Sequence, residues 1–76
     1  MASKARLFYS DKLKTGTISR LSEKQSHYTK NVMRLKAGDK ISLFNSHDGE
    51  WDAKILYQGK IFTEFKVEIL SRPMSN

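Results

Sequence analysis

The sequence predicts a mainly β domain, a small antiparallel β-barrel of five or six strands with one short α-helix at about residues 22–34. Short segments rich in aromatic and β-branched residues recur along the 76 residues. Turn residues separate them, most clearly at Gly38-Asp39, Asp48-Gly49 and Gly59. One polar segment carries helix-start signals. Closure into a barrel would remove the exposed strand edges that invite aggregation.

The first two strands are predicted to be short. Arg6-Leu7-Phe8-Tyr9 has the aromatic and apolar density of a strand, and a second strand covers about Thr17 to Leu21. The segment between them is polar and contains Gly16, so we expect an exposed loop that presents Lys12 and Lys14.

A helix is predicted to begin after Ser22. Ser22 and Gln25 fit a capping box, in which the serine hydroxyl accepts a backbone N–H and the glutamine reaches back to the Ser22 amide. Tyr28, Val32 and Leu35 recur at i, i+4 and i+7, which predicts an apolar stripe facing the core. The helix is expected to end before Gly38.

The last three strands are predicted from the alternation of apolar with polar residues. The residues expected on the core-facing side are Ile41, Leu43, Trp51, Ala53, Ile55, Tyr57, Phe65, Val67 and Ile69. The final residues, 73–76, are expected to begin a linker.

The net charge of +6 is concentrated in the first half of the chain. Residues 1–40 carry ten Lys/Arg against three Asp/Glu, a net +7, whereas residues 41–76 carry four against five, a net −1. A cationic surface of this kind favours a polyanionic partner, because phosphate contacts release condensed counterions. The alternative is a basic surface that only keeps the protein soluble.

Several classes of protein are disfavoured. With no cysteine and two histidines, the chain has neither a disulfide framework nor an ordinary structural zinc site. Its N-terminus lacks the apolar run of a signal peptide, and no stretch approaches the ~20 apolar residues of a membrane span. We therefore expect a soluble, cytoplasmic protein with no membrane partner.

The candidate catalytic residues all have structural explanations. His27 is more simply a partly buried helical histidine than a catalyst. His47 with Asp48, Glu50 and Asp52 suggests a weak metal or acid–base cluster, but turn formation explains Asp48 and strand alternation explains the other two carboxylates. Neither a glycine-rich phosphate loop nor a nucleophile elbow is present. We predict no catalytic residue and no metal site.

A nucleic-acid-binding role is better supported by the residues. Lysines and arginines can contact phosphates, and arginine also stacks on bases. The cations expected to form a basic tract are Arg6, Lys12, Lys14, Arg20, Lys24, Lys30, Arg34 and Lys36.

The sequence resembles the N-terminal domain of the bacterial ribosomal RNA small subunit methyltransferase E family. The resemblance covers His27 followed by residues 31–41, Asn-Val-Met-Arg-Leu-Lys-Ala-Gly-Asp-Lys-Ile, and its most specific part is His27 with Val32-Met33-Arg34 and Gly38-Asp39. Met33 stands where the family usually has leucine, a change that conserves volume. Arg6-Leu7-Phe8 resembles the family's opening strand, and residues 43–55 resemble its next hairpin.

The resemblance implies a PUA-like, RNA-binding β-barrel at residues 1–72, with residues 73–76 beginning the linker to an absent C-terminal SPOUT domain. In full-length members that second domain binds S-adenosylmethionine, forms a homodimer and methylates N3 of a uridine in 16S ribosomal RNA. This chain is then a monomeric, non-catalytic fragment without a cofactor site, and its partner is 16S rRNA or the small ribosomal subunit.

The resemblance also implies roles for the basic residues. Arg6, Arg34 and Lys36 would help seat the ribosomal substrate, and Lys12, Lys14, Arg20 and Lys30 would add weaker backbone contacts. Two alternatives remain: a free-standing β-barrel module that binds RNA or single-stranded DNA, and a domain whose basic face contacts its own catalytic domain or another protein.

Overall fold

The computed structural model describes residues 5–72, so the predicted linker at 73–76 lies outside the described residues. Five strands form one sheet in the order β1-β3-β4-β5-β2. The strands are β1 (Arg6–Phe8), β2 (Ile18–Arg20), β3 (Lys40–Asn45), β4 (Gly49–Gln58) and β5 (Thr63–Arg72), and one helical segment lies between β2 and β3. Within this range no helix is long and apolar enough to cross a membrane.

The mainly β fold with one short helical region is confirmed, but the sheet is open and mixed. β3, β4, β5 and β2 pair in antiparallel fashion, whereas β1 pairs with β3 in parallel. β1 and β2 are the two edges of the sheet, so the predicted small β fold is present but is not closed into a barrel. Each edge strand has only three residues. A side-chain hydrogen bond links the two edges, since the hydroxyl of Tyr9, directly after β1, donates to Oγ of Ser19 in β2 at 2.8 Å.

The core consists of the apolar face of the sheet and of loop residues that cover it. Tyr9 is buried with its ring edge-on to Phe65, the ring centroids 5.2 Å apart. The fully or almost fully buried aliphatic and aromatic residues are Leu13, Leu21, Leu35, Ile41, Leu43, Ala53, Ile55, Phe65 and Val67. The alternation therefore predicted most of the core-facing positions correctly.

Two predicted core residues, Tyr57 and Ile69, are exposed because β-bulges change the register. Ile55 pairs with Phe65 but Tyr57 pairs with Glu64, so β4 contains one extra residue at that point. β5 likewise contains an extra residue, since Ala53 pairs with Val67 and Asp52 with Ile69. One inserted residue moves the following side chains to the other face of a strand.

The helical segment consists of a short α-helix, α1 (Glu23–His27), continued by a π-helical turn at Tyr28–Val32. Ser22 caps α1 as predicted, with its hydroxyl accepting the Gln25 N–H at 3.2 Å. The second half of the predicted capping box is absent, because the Gln25 side chain donates to the carbonyl oxygen of Phe8 instead, at 2.6 Å. This bond ties the start of the helix to the end of β1.

The predicted apolar stripe is wrong for two of its three residues. Tyr28 is 40% exposed and Val32 62% exposed, and only Leu35, which lies beyond the helical segment, is buried. The buried face of the helical segment is formed by Ser26 and Thr29.

A polar layer of Ser26, Thr29, Gln58 and Thr63 joins the helical segment to the sheet. Ser26 Oγ accepts the Thr63 N–H at 2.9 Å, and the hydroxyls of Thr29 and Thr63 lie 3.1 Å apart. The Thr63 hydroxyl also donates to the Gln58 side-chain carbonyl. Both threonines are completely buried. Hydrogen bonds therefore hold the helical segment against the sheet, in place of the apolar contact that the predicted stripe would have made.

Replacing Thr29 by valine tests this layer. Thr29→Val keeps the side-chain shape but removes the hydroxyl that donates to the Ser26 carbonyl oxygen at 3.0 Å. We expect a loss of about 1–2 kcal/mol in the free energy of unfolding, measured by urea denaturation. The matched control is Thr15→Val at an exposed turn position, which should stay within about 0.5 kcal/mol of wild type. Equal effects of the two changes would contradict a stabilising polar layer.

A second polar cluster holds the segment after β1 against the turn between β3 and β4. The Asn45 side-chain amide donates to the carbonyl oxygens of Tyr9 and Asp11 at 3.1 and 3.0 Å. Its oxygen accepts the Asp48 N–H at 2.7 Å, and Asp48 Oδ2 accepts the Leu13 N–H at 3.0 Å. Asp48 is thus a turn residue, as predicted.

Asp48 gives the fold an acid-sensitive contact. The Leu13 N–H, and then the Asn45 amide, lower the pKa of the Asp48 carboxyl below its ordinary value of 3.8. Because the folded-state pKa is the lower one, this stabilisation is present above the ordinary value and is lost as the pH falls through the folded-state pKa. We expect Asp48→Asn to flatten the fall in unfolding free energy below pH 4, measured by urea denaturation across pH. An unchanged acid slope would exclude this contribution.

Candidate nucleic-acid interface

The structure brings three of the seven predicted RNA-contacting residues into one groove. Lys30 lies on the π-helical turn, and Arg34 and Lys36 lie in the turn that leads to β3. With Leu35, Ala37, Tyr57 and Gln58 they line an open groove of about 530 Å³, which we call the basic groove.

Hydrogen bonds fix the turn that carries these cations. Gln58 Nε2 donates to the Leu35 carbonyl oxygen at 3.1 Å, and Asp39 Oδ2 accepts the Lys36 N–H at 2.8 Å. The Gly38 N–H donates to the Ile55 carbonyl oxygen at 2.7 Å. Gly38 itself has a φ of 96°, a conformation that glycine adopts without steric cost. The turn that lines the groove is therefore fixed by hydrogen bonds to β4 and by a hydrogen bond within the turn itself.

Arg34 has a backbone conformation that usually belongs to glycine. Its φ is 54°, and within residues 5–72 it is the one non-glycine residue with a positive φ. The next residue, Leu35, closes the helical segment by donating its N–H to the Thr29 carbonyl oxygen at 2.8 Å. Glycine would adopt this backbone conformation at the helix end at a lower steric cost. The sequence nevertheless has an arginine here, and its side chain is exposed.

Tyr57 supplies an aromatic surface that the sequence pattern did not reveal. Its side chain is 53% exposed in the basic groove, although alternation placed it in the core. The ring lies against Gly59, where an added Cβ would lie 2.6 Å from Tyr57 Cε2, and its centroid is 5.5 Å from that of Phe62. The Gly59 turn was visible in the sequence, but the bulge that turns Tyr57 outward was not.

Arg20 extends this aromatic surface. Its guanidinium carbon lies 4.2 Å from the centroid of the Phe62 ring, which in turn neighbours Tyr57. Arg20 also lines a separate cleft with Phe8 and Lys24. A row of Arg20, Phe62 and Tyr57 thus connects β2 to the basic groove.

The other three predicted residues lie outside the groove. Arg6 donates from Nε to Glu50 Oε1 at 2.9 Å and covers the Phe44 ring at 4.1 Å, so its guanidinium already has two partners within the chain. Lys12 and Lys14 are exposed on either side of the buried Leu13. Their part in binding stays a prediction based on charge.

The chemistry of the basic groove suits a nucleic-acid strand. Three cations can contact phosphates, and an exposed ring beside them can stack on a base. In the described part of the chain no group of three or more His, Asp or Glu side chains could hold a metal ion.

Comparisons with known proteins matched one family model and several solved structures. A family model described as the RNA methyltransferase PUA domain matches residues 21–68, more than half of the chain. No match was found among curated proteins.

Two solved structures share the fold. The first is Lpg2936 from Legionella pneumophila, a proposed methyltransferase in complex with S-adenosylmethionine, with a TM-score of 0.81, 20% identity and coverage of 91% of this chain and 28% of that one. The second is ribosomal RNA small subunit methyltransferase E from Neisseria gonorrhoeae bound to S-adenosylmethionine, with a TM-score of 0.76, 20% identity and coverage of 84% and 27%. The present chain thus spans little more than a quarter of each matched chain.

The conformation of Arg34 can be tested by its effect on stability. Arg34→Gly removes the steric cost of the positive φ, and we expect the free energy of unfolding to rise by about 1 kcal/mol in urea denaturation. Arg34→Ala keeps a Cβ and hence that cost, so it should leave the stability near that of wild type. A glycine variant less stable than the alanine variant would contradict the strained conformation.

Proposed function

The chain belongs to the RNA methyltransferase PUA domain family, and from this premise we propose that it is the RNA-recognition domain of an S-adenosylmethionine-dependent 16S rRNA uridine-N3 methyltransferase. In this proposal the domain binds the ribosomal substrate and a separate catalytic domain of the parent protein transfers the methyl group. The cofactor site and the homodimer interface would belong to that second domain.

The observation that carries the RNA-binding proposal is the position of Arg34 in the basic groove. A residue held at a positive φ beside two lysines adds electrostatic repulsion and backbone strain, both of which glycine at this position would remove. Binding of an anionic strand offsets the repulsion and uses the side chain. This is the reason for assigning the function to this groove above the other basic positions.

The residues of the groove divide into two roles in the proposed complex. Lys30, Arg34 and Lys36 contact phosphates, with the guanidinium able to bind two oxygens of one phosphate at once. Tyr57 stacks on an unpaired base, and Arg20 continues the contact along the surface through Phe62. Arg6, Lys12 and Lys14 add longer-range attraction that steers the RNA to the domain.

A titration with a small-subunit rRNA hairpin at two salt concentrations tests the proposal. Each neutralised phosphate contributes about 0.7–0.9 to the dependence of log affinity on log salt. We expect the double variant Arg34→Ala/Lys36→Ala to bind about 10- to 100-fold more weakly and to reduce this slope by roughly 1.5.

The matched control is Lys54→Ala/Lys66→Ala, which removes the same number of charges from exposed strand positions outside the groove. It should leave affinity close to wild type. Equal losses of RNA affinity in both double variants would mean that overall charge, and not the basic groove, determines binding. Binding that is absent, or indifferent to salt, would remove RNA recognition and favour contact with a protein partner.

A further inference from the structure

We infer that a second cleft beside the basic groove binds one unstacked nucleotide of the RNA and reads its base, an inference that rests on the proposed RNA-binding function. The cleft lies between the helical segment and the turn that joins β4 to β5. Its principal residues are Glu23, His27, Lys30, Asn31, Lys60 and Ile61, and we call it the helix–turn cleft. At about 280 Å³ it is at the small end of ligand-sized clefts, which suits a single base.

His27 and Asn31 form the polar side of the cleft. The Asn31 side-chain Nδ2 lies 2.9 Å from His27 Nδ1, so the amide donates to the imidazole. In a neutral imidazole the proton is then on Nε2, and the pair offers an N–H donor on His27 and an oxygen acceptor on Asn31. A donor and an acceptor on neighbouring side chains match the hydrogen-bonding edge of a nucleobase.

Ile61 and Glu23 indicate that a base enters the cleft in preference to a phosphate. Ile61 is 76% exposed, the largest value among the exposed large hydrophobic residues of the described chain, and it offers an apolar contact to the face of a base. The Glu23 carboxylate would repel a phosphate, but it can accept a hydrogen bond from a base N–H. Lys30 and Lys60 remain available for the sugar–phosphate on either side.

Lys30 connects the two sites. It lines both the helix–turn cleft and the basic groove, so a strand whose phosphates contact the groove passes beside the cleft. Gly59 strengthens this connection, since it lines the cleft while its missing Cβ leaves space for the Tyr57 ring of the groove. The groove then supplies affinity, including the stacking of Tyr57 on an unpaired base, and the cleft supplies discrimination among the four bases at an unpaired position.

Two RNA hairpins that differ only in one bulged nucleotide test the inference on the 76-residue chain. One hairpin is fully paired, and in the other each of the four bases is placed in turn at the bulge. We expect wild type to prefer one bulged base over the other three by about tenfold, the discrimination that one well-placed pair of hydrogen bonds supplies. The double variant His27→Ala/Asn31→Ala should reduce this ratio to near one while its affinity for the paired hairpin stays unchanged.

The control variant is His47→Ala, an exposed histidine in the β3–β4 turn outside the cleft, which should keep the tenfold preference. Equal affinity of wild type for the four bulged bases would overturn the inference while leaving the proposed function intact. A preference that survives the loss of His27 and Asn31 would also overturn it. Failure of wild type to bind either hairpin in a salt-dependent way would instead refute the proposed function, and the inference with it.

Discussion

Buried hydroxyl and amide groups hold the helical segment on the sheet, and the positions of the basic groove and of the helix–turn cleft depend on them. Ser26 and Thr29 face Thr63 and Gln58 across the polar layer, and Gln58 also binds the carbonyl oxygen of Leu35. Hydrogen bonds fix direction as well as distance, and a buried group left without its partner costs about 1–3 kcal/mol. The layer therefore selects one placement of the helix, and with it the placement of Lys30, which both sites share.

The same interaction explains which features the sequence could predict. Alternation identified Ile41, Ala53 and Phe65 as core residues because burial of one sheet face imposes a period of two. The cap at Ser22 was equally predictable, since its hydroxyl acts on a neighbouring backbone amide. The helix face was not predictable, because the buried Thr29 has partners more than 25 residues away, Gln58 and Thr63, which no local period can indicate.

The candidate site shows the same division between local and distant causes. The family resemblance implied roles for Arg34 and Lys36, which lie two residues apart in the sequence and line the same groove in the structure. Tyr57 was assigned to the core because a bulge in β4 depends on its pairing with β5, and that pairing is invisible in either strand alone. Arg20 was predicted from charge, but its connection to the groove passes through Phe62 and became evident only in three dimensions.

Strain and rigidity act together in this domain. The positive φ of Arg34 costs about 1 kcal/mol locally, a sizeable fraction of the modest stability of a domain of this length. A flexible turn would relax such a conformation, but here Leu35 is held by both Thr29 and Gln58, on opposite sides of the turn. The polar layer thus holds the backbone of this turn in one conformation, so binding of RNA in the proposed complex does not have to include the ordering of this turn.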